Sequence, residues 1–203
     1  TLKPLKNLST NNFEENHRIW YKQKGCLHIK NCMPFFQMYK ITNDENFLKK
    51  GILICDTFSK YQNNDGSFNL HQNSDVINLH TLCYALEGLF YAYYITKNKK
   101  YLQSVKNSLN WVIQKIPEDG GVNLWFNTKY NEKAAYPIAQ LIRLFILLDK
   151  IEKNDFLKYA IKLSSFLFSL QGDSKNICVN GGFYEGFSKS IFSWKKIPKI
   201  NSW

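Results

Sequence analysis

Three aromatic–leucine pairs, Phe47-Leu48, Tyr101-Leu102 and Phe156-Leu157, each follow a short charged turn. They recur at intervals of 101 − 47 = 54 and 156 − 101 = 55 residues. Asp65-Gly66 and Asp119-Gly120 are also 119 − 65 = 54 residues apart. A fixed period of this length is the mark of stacked supersecondary units, and it restricts the chain to repeat architectures. Each unit reads the same way: an apolar helix, a short turn, an amphipathic helix, then a long glycine-containing connection.

The two helices of a unit differ in kind. Tyr101, Leu102, Val105, Leu109, Val112, Ile113 and Ile116 trace one face, and Lys99, Gln103, Lys106 and Asn110 the other, as on a half-solvated outer helix. Ala134, Ala135, Ile138, Ala139, Leu141, Ile142 and the run Leu144–Leu148 are apolar nearly all round, which predicts an inner helix buried on every side. Hairpins of this type stack because each alone leaves its apolar flanks wet. The expected fold is therefore all-α. Repeats are expected at about 26–68, 76–121 and 133–187, with the start of a fourth at 198–203. Residues 1–25 are polar and weakly patterned, with Phe13–Lys22 a short helix or the tail of a preceding repeat.

The connections are asymmetric. Inner-to-outer turns are short (42–45, 96–99 and 150–154), whereas outer-to-inner connections are long (62–75, 116–133 and 171–189). All the long connections therefore emerge at one end, where loops of this length tend to be functional. The inner helices begin at that end, with unpaired N–H groups and positive dipole ends that favour carboxylate or phosphate.

The formal net charge of +11 raises the question of nucleic acid or an acidic polymer. Many of the lysines sit in helix turns and on outer helices, such as Lys97, Lys99, Lys100, Lys158 and Lys162, as on a solvated basic surface. No nucleic-acid module is recognisable. The apolar run Ile138–Leu148 is broken by Gln140 and Arg143 and is too short for a membrane span. The five cysteines are odd in number and include no Cys-x-x-Cys, which points to reduced thiols in the cytoplasm. Cys26, His28 and Cys32 lack a second pair at zinc spacing, so neither a metal nor another cofactor is expected.

His80, Tyr84 and Glu87 fall at i, i+4 and i+7 near the start of the second inner helix, on one stripe. A histidine near a carboxylate can act as base or acid near neutral pH, with Tyr84 as proton donor. The alternative is a satisfied polar network between helices. The matching positions are Cys26 and Met33 in the first repeat, and Ala135 and Ile142 in the third, so the packing pattern does not require the polar set. Two carboxylates could instead serve hydrolysis: Asp119 or Glu87 with Glu185. Trp125, Tyr136, Tyr184 and Trp194, interleaved with acids such as Asp65, suit sugar rings, whose C–H faces stack on aromatics. Asp65 and Asp119 also lie in Asp-Gly turns, where a turn-forming role is the competing reading. Gln140 and Arg143 interrupt the most apolar helix. As a buried cation Arg143 needs a partner, either a substrate carboxylate or a structural acid such as Glu87. The loop Val179–Phe187 lacks the lysine and the strand–loop–helix context of a phosphate loop.

Gln62-Asn-Asn-Asp-Gly-Ser-Phe68 resembles the Gln-x-x-Asp-Gly-Ser-Trp/Phe loop of α/α-toroid proteins. The acidic signature of the terpene cyclases among them is absent, as is the zinc-ligand set of protein prenyltransferases. His80-Thr-Leu-Cys-Tyr-Ala-Leu-Glu-Gly-Leu89 is similar to the opening of an inner helix in N-acylglucosamine 2-epimerase-like proteins and six-hairpin glycosidases. Together with Ala135–Leu144, Gly181–Gly186 and Lys199–Trp203, it resembles toroid proteins encoded in bacterial surface-polysaccharide clusters. The resemblance implies a partial α/α toroid over residues 26–203. It also implies action on a sugar or uronic-acid-containing glycan by hydrolysis, elimination or epimerisation. The alternative is a non-catalytic glycan-binding or scaffold protein. A closed ring of six hairpins needs about 330 residues at this period. Three repeats therefore imply a fragment, a truncated product, or an arc completed by missing repeats or a partner chain.

Overall fold

The computed structural model describes residues 23–176, 180–190 and 193–201. Phe13–Lys22, Cys178 and Ser202-Trp203 lie outside the described residues. Among the described residues, six α-helices form three consecutive hairpins. A 3-10 turn at Cys26–Asn31 runs into α1 (Cys32–Thr42), which is followed by α2 (Glu45–Ser59). The second hairpin pairs α3 (Leu79–Thr96) with α4 (Lys99–Ile113), and the third pairs α5 (Ala135–Glu152) with α6 (Leu157–Ser169).

The hairpin turns share one local solution. Each inner helix ends on a left-handed residue, Asn43, Lys97 or Lys153, with φ of 54°, 56° and 53°. The N–H of that residue returns to the carbonyl of Tyr39, Tyr93 or Asp149 and satisfies a terminal acceptor. In the first two turns the next residue caps the outer helix: the Asp44 and Asn98 side chains accept from the N–H groups of Asn46 and Lys100.

The core lies between the inner and outer layers. Leu79, Leu82, Cys83, Leu86 and Leu89 of α3 and Ile138, Leu141, Leu144, Phe145 and Leu148 of α5 are wholly buried. Val105, Leu109 and Val112 of α4 and Leu163 of α6 complete it from the outer side. The expectation that the third inner helix is buried all round is corrected. Ala139, Arg143 and Leu147 are exposed and Gln140 and Ile146 half-buried. These residues form one stripe, turned away from the buried face, that no described element covers.

The long connections are stitched together by short strands. β1 (Ile77–Asn78) pairs antiparallel with β2 (Trp125–Phe126). β3 (Glu132–Ala134) pairs with β4 (Phe183–Lys189), which pairs with β5 (Trp194–Asn201). Strands β1 and β3 run directly into the inner helices α3 and α5. The fourth helix expected at 198–203 is strand as far as Asn201, because the β4 ladder continues through Tyr184↔Ile200 and Phe183↔Asn201.

Each of the first two long connections also grips the next outer helix. Gly66 and Gly120 adopt φ of +93° and +78°, and a Cβ at either would overlap a backbone carbonyl oxygen, that of Asn107 in α4 or Lys162 in α6. Beside Gly66, the Gln62 amide donates to the Ser104 carbonyl at 2.8 Å and to Ser108 Oγ at 3.0 Å, while Ser104 Oγ donates back to Gln62 Oε1 at 2.6 Å. This joint fixes the spacing between successive hairpins.

Candidate functional site

The concave stripe of the second and third inner helices carries a connected polar cluster. Asn78 caps α3 by accepting from the Thr81 N–H at 3.0 Å, which places His80 in the first turn. The His80 ring lies 4.1 Å from the Tyr84 ring one turn on, and 4.7 Å, edge-on, from Tyr136 at the start of α5. His80 Nδ1 is 2.7 Å from Gln140 Oε1, and Gln140 Nε2 donates to Glu87 Oε1 at 3.2 Å. Arg143 donates to the same Glu87 oxygen, and Lys30 Nζ lies 2.7 Å from Glu87 Oε2. Lys30 also stands 3.8 Å from the centre of the Tyr84 ring, a cation–π contact.

The hydrogen bonds fix a direction along this chain. A carboxylate oxygen accepts, so the Gln140 amide turns its NH2 to Glu87 and its carbonyl to His80. His80 therefore donates from Nδ1, and its lone pair is on Nε2, which has no hydrogen-bond partner among the described residues. Burial pushes the His80 pKa below the ordinary histidine value. The Lys30 charge acts in the same direction, against the Gln140 bond and the Glu87 charge. The imidazole is thus neutral near pH 7. The Tyr136 hydroxyl is pushed up to about 12 by burial, with the charges of Glu185 and Glu132 adding to it. It remains a proton-bearing donor.

Arg143 does not occupy the buried position expected of it. Its side chain is 60% exposed while that of Glu87 is 5% exposed, so the acid is enclosed and the guanidinium faces outward. The reason is the uncovered stripe on α5. Below the cluster a cavity of about 530 Å³ continues between the inner helices, lined by Met33, Tyr91, Tyr94, Leu147 and Ile151, with Glu87 and Arg143 in its wall.

Lys30 was not singled out from the sequence. The signal lay in the register: 84 − 54 = 30, so Lys30 takes the place of Tyr84 in the first repeat. Gly88 lets it reach across. A Cβ at that position would meet the Ile29 backbone carbonyl, so the 3-10 turn lies directly on α3.

The other candidates divide. Glu185 borders the cluster: its charge acts on Tyr136, and it pairs with Lys199 at 3.3 Å. Tyr184, beside it, lies under Lys196, 4.6 Å from the ring centre. Trp125 donates from Nε1 to Glu132 at 3.3 Å, on the strand leading into α5. Trp194 stacks with Lys133 at 4.8 Å, outside the network.

Asp65 and Asp119 do not join the cluster. The Asp65 carboxylate accepts from the Ser67 N–H and hydroxyl at 2.9 and 2.7 Å, closing its own turn against α4. Asp119 accepts from the Gly121 N–H at 2.9 Å and from Lys133 Nζ at 2.6 Å in the turn that sits on α6. Burial pushes the Asp119 carboxyl up, but the Lys133 ammonium, the Gly121 N–H and Lys162 outweigh it and hold it below the usual carboxylate value. An Asp two residues before an N–H closes an Asx turn, and here that geometry takes both side chains away from the concave face.

Among the described residues, no three His, Cys, Asp or Glu side chains are grouped to hold a metal ion. His28 Nε2 is 2.8 Å from the Gln23 carbonyl, and Cys32 Sγ points to the Gly88 carbonyl at 3.4 Å. No helix among the described residues is long and apolar enough to cross a membrane. Cys26, Cys32, Cys55 and Cys83 are free and buried, and burial pushes the Cys26 thiol up to about 12.

No protein-family model matches the chain, and no curated protein matches it. Solved structures do. A GH76 α-mannanase of Bacteroides thetaiotaomicron matches with a TM-score of 0.71 at 15% identity, over 86% of this chain and 50% of that one. A D-mannose isomerase matches at 0.67 and 15% identity, over 81% and 48%. An unsaturated glucuronyl hydrolase of Streptococcus agalactiae matches at 0.65 and 14%, over 85% and 52%. The shared feature is the α/α-toroid fold, and the chain spans about half the length of the structures it matches.

Proposed function

We propose that this chain supplies half the rim of a carbohydrate-active α/α toroid of bacterial surface-polysaccharide metabolism, and that His80 moves a proton at a sugar carbon beside a carbonyl. The observation that carries the reading is the relay from Glu87 through Gln140 to His80, which holds a neutral imidazole with its lone pair on Nε2. In this role Nε2 takes the proton from the carbon, and the Tyr136 O–H, or that of Tyr84, donates to the carbonyl oxygen. Return of the proton gives an epimer or isomer, and loss of a leaving group instead gives elimination. Arg143, Gln140 and the aromatic faces of Tyr84, Tyr136, Tyr184 and Trp125 hold the sugar. Hydrolysis by two carboxylates is less well supported. Asp119 is engaged in its turn, and Glu87 already accepts from Lys30, Arg143 and Gln140. Further hairpins complete the rim. The buried free thiols favour a reducing compartment, the cytoplasm.

The test is incubation in D2O with D-mannose, α-1,6-mannotriose and an unsaturated glucuronyl disaccharide, read by NMR. Solvent deuterium at the carbon beside the carbonyl, abolished in His80→Ala while circular dichroism is unchanged, supports the assignment. Release of reducing sugar without carbon-bound deuterium would point to hydrolysis. Sugar that binds and is recovered unchanged would point to a binding protein.

A further inference from the structure

The enclosed acid of the cluster faces two cations. Lys30 Nζ lies 2.7 Å from one oxygen of Glu87, and Arg143 donates to the other. Two cations against one carboxylate leave a net positive charge. That charge stands at the opening, because the Lys30 and Arg143 side chains are 38% and 60% exposed while Glu87 is enclosed. Arg143 spends one terminal nitrogen on Glu87, and among the described residues the rest of its planar fork has no acceptor. The neighbouring acids do not cancel the excess. Glu185 is paired with Lys199 at 3.3 Å. Glu132 accepts from the Trp125 indole, and its charge is matched by Lys196, which stands over the Tyr184 ring without an acid partner among the described residues.

The cations border the space that His80 faces. Gln140, which binds His80 Nδ1, precedes Arg143 by three residues on α5, so the two side chains share one stripe. A neutral sugar seated there would take water from the guanidinium and return only hydroxyls. A carboxylate would match both the charge and the geometry of the fork, through charge-assisted and bidentate hydrogen bonds.

We propose that Arg143 and Lys30 bind the carboxylate of a uronate residue, so that the site takes an acidic glycan. The inference rests on His80 being the base of the reaction proposed above, and it makes the carbonyl of that reaction the uronate's own carboxylate. When Nε2 removes the proton from the carbon that bears the carboxylate, the C–H electron pair moves towards the carboxylate and a second negative charge forms on its oxygens. Cations held at those oxygens stabilise that charge as it develops. Return of the proton to the same carbon gives the epimer. In elimination the pair instead forms a double bond to the next ring carbon, the C–O bond there breaks, and a tyrosine proton goes to the departing oxygen.

Calorimetric titration of the His80→Ala protein tests recognition apart from turnover. The probes are oligosaccharides of D-glucuronate, D-mannuronate and D-galacturonate, each beside its carboxyl-reduced counterpart. The acidic member of at least one pair should bind about tenfold or more tighter than the reduced one. Arg143→Gln should remove that preference with helical circular dichroism kept, since Glu87 retains Lys30 and Gln140 as donors. Arg143→Lys should restore part of it. Lys49→Gln, on the exposed side of α2, should leave it unchanged, which separates the site from the overall basic charge. Equal affinity within every pair, no binding by any acidic member, or a preference that survives Arg143→Gln would overturn the proposal. Solvent deuterium entering D-mannose without any acidic preference would remove the carboxylate site and leave His80 as the base. An acidic preference lost in Arg143→Gln, with no deuterium uptake by the unsubstituted protein, would keep the carboxylate site and remove the role of His80.

Discussion

Lys30 Nζ lies 2.7 Å from Glu87 Oε2, joining the first turn of one hairpin to the middle of the next hairpin's inner helix. Arg143 of the third hairpin reaches the other oxygen of the same carboxylate. One enclosed acid thus ties three hairpins together, with its cations on the open side. Glu87→Ala should destabilise the protein by about 1–3 kcal/mol, because three donors lose their acceptor at once. Lys30→Ala should cost less than about 1 kcal/mol, since the ammonium removed is partly exposed and Glu87 keeps Arg143 and Gln140 as donors. Urea midpoints check both, and equal losses would contradict this ordering.

The His80 imidazole should titrate below free histidine. Burial lowers its pKa, and the unfolded chain binds more protons between the folded and the ordinary value. Stability therefore rises with pH through that window and is fully present above the ordinary value. Gln140→Leu removes the bond that raises the pKa and should move it further down. NMR titration of the ring C–H signals decides this, and an upward move would contradict the relay. In a turnover assay the acid limb should follow the same group.

Gly88→Val should separate the 3-10 turn from α3, since the added carbons enter the space of the Ile29 carbonyl. A loss of about 1–3 kcal/mol is expected from overpacking, together with loss of the Lys30–Glu87 coupling in a double-mutant cycle. Retained coupling would mean that the turn reaches Glu87 by another route.

Gln62→Leu should weaken the joint between the first and second hairpins. Its amide serves Ser104, Ser108 and the Gly66 carbonyl, so a loss of about 1–3 kcal/mol is expected, read as a lower thermal midpoint. Ile116 holds the corresponding place before Gly120 (120 − 4 = 116, as 66 − 4 = 62), so Ile116→Leu should change little.

The helical frame was legible because its determinants are local. The paired turns at Asn43-Asp44 and Lys97-Asn98, and the aromatic–leucine openings of the outer helices, each act within a few residues. The stripe of His80, Tyr84 and Glu87 was legible for the same reason: helical period alone puts the three on one face. The wet face of α5 was not, because Leu147 and Ile146 are apolar whether or not a neighbour covers them. Lys30 escaped notice because Cys26–Asn31 is a 3-10 turn without a helical pattern. The strand Trp194–Asn201 carries three lysines and Pro198, so no alternation marks it, and its partner strand alone gives it shape.

The grip of Gly66 and Gly120 on the outer helices separates two jobs within each long connection. The turn sets where the next hairpin stands, and the stretch beyond it, 78 − 66 = 12 residues in one case and 134 − 120 = 14 in the other, only has to reach the inner helix. Insertions in that stretch can reshape the opening while leaving the frame in register, so descendants of one scaffold can exchange substrates without rebuilding their helices.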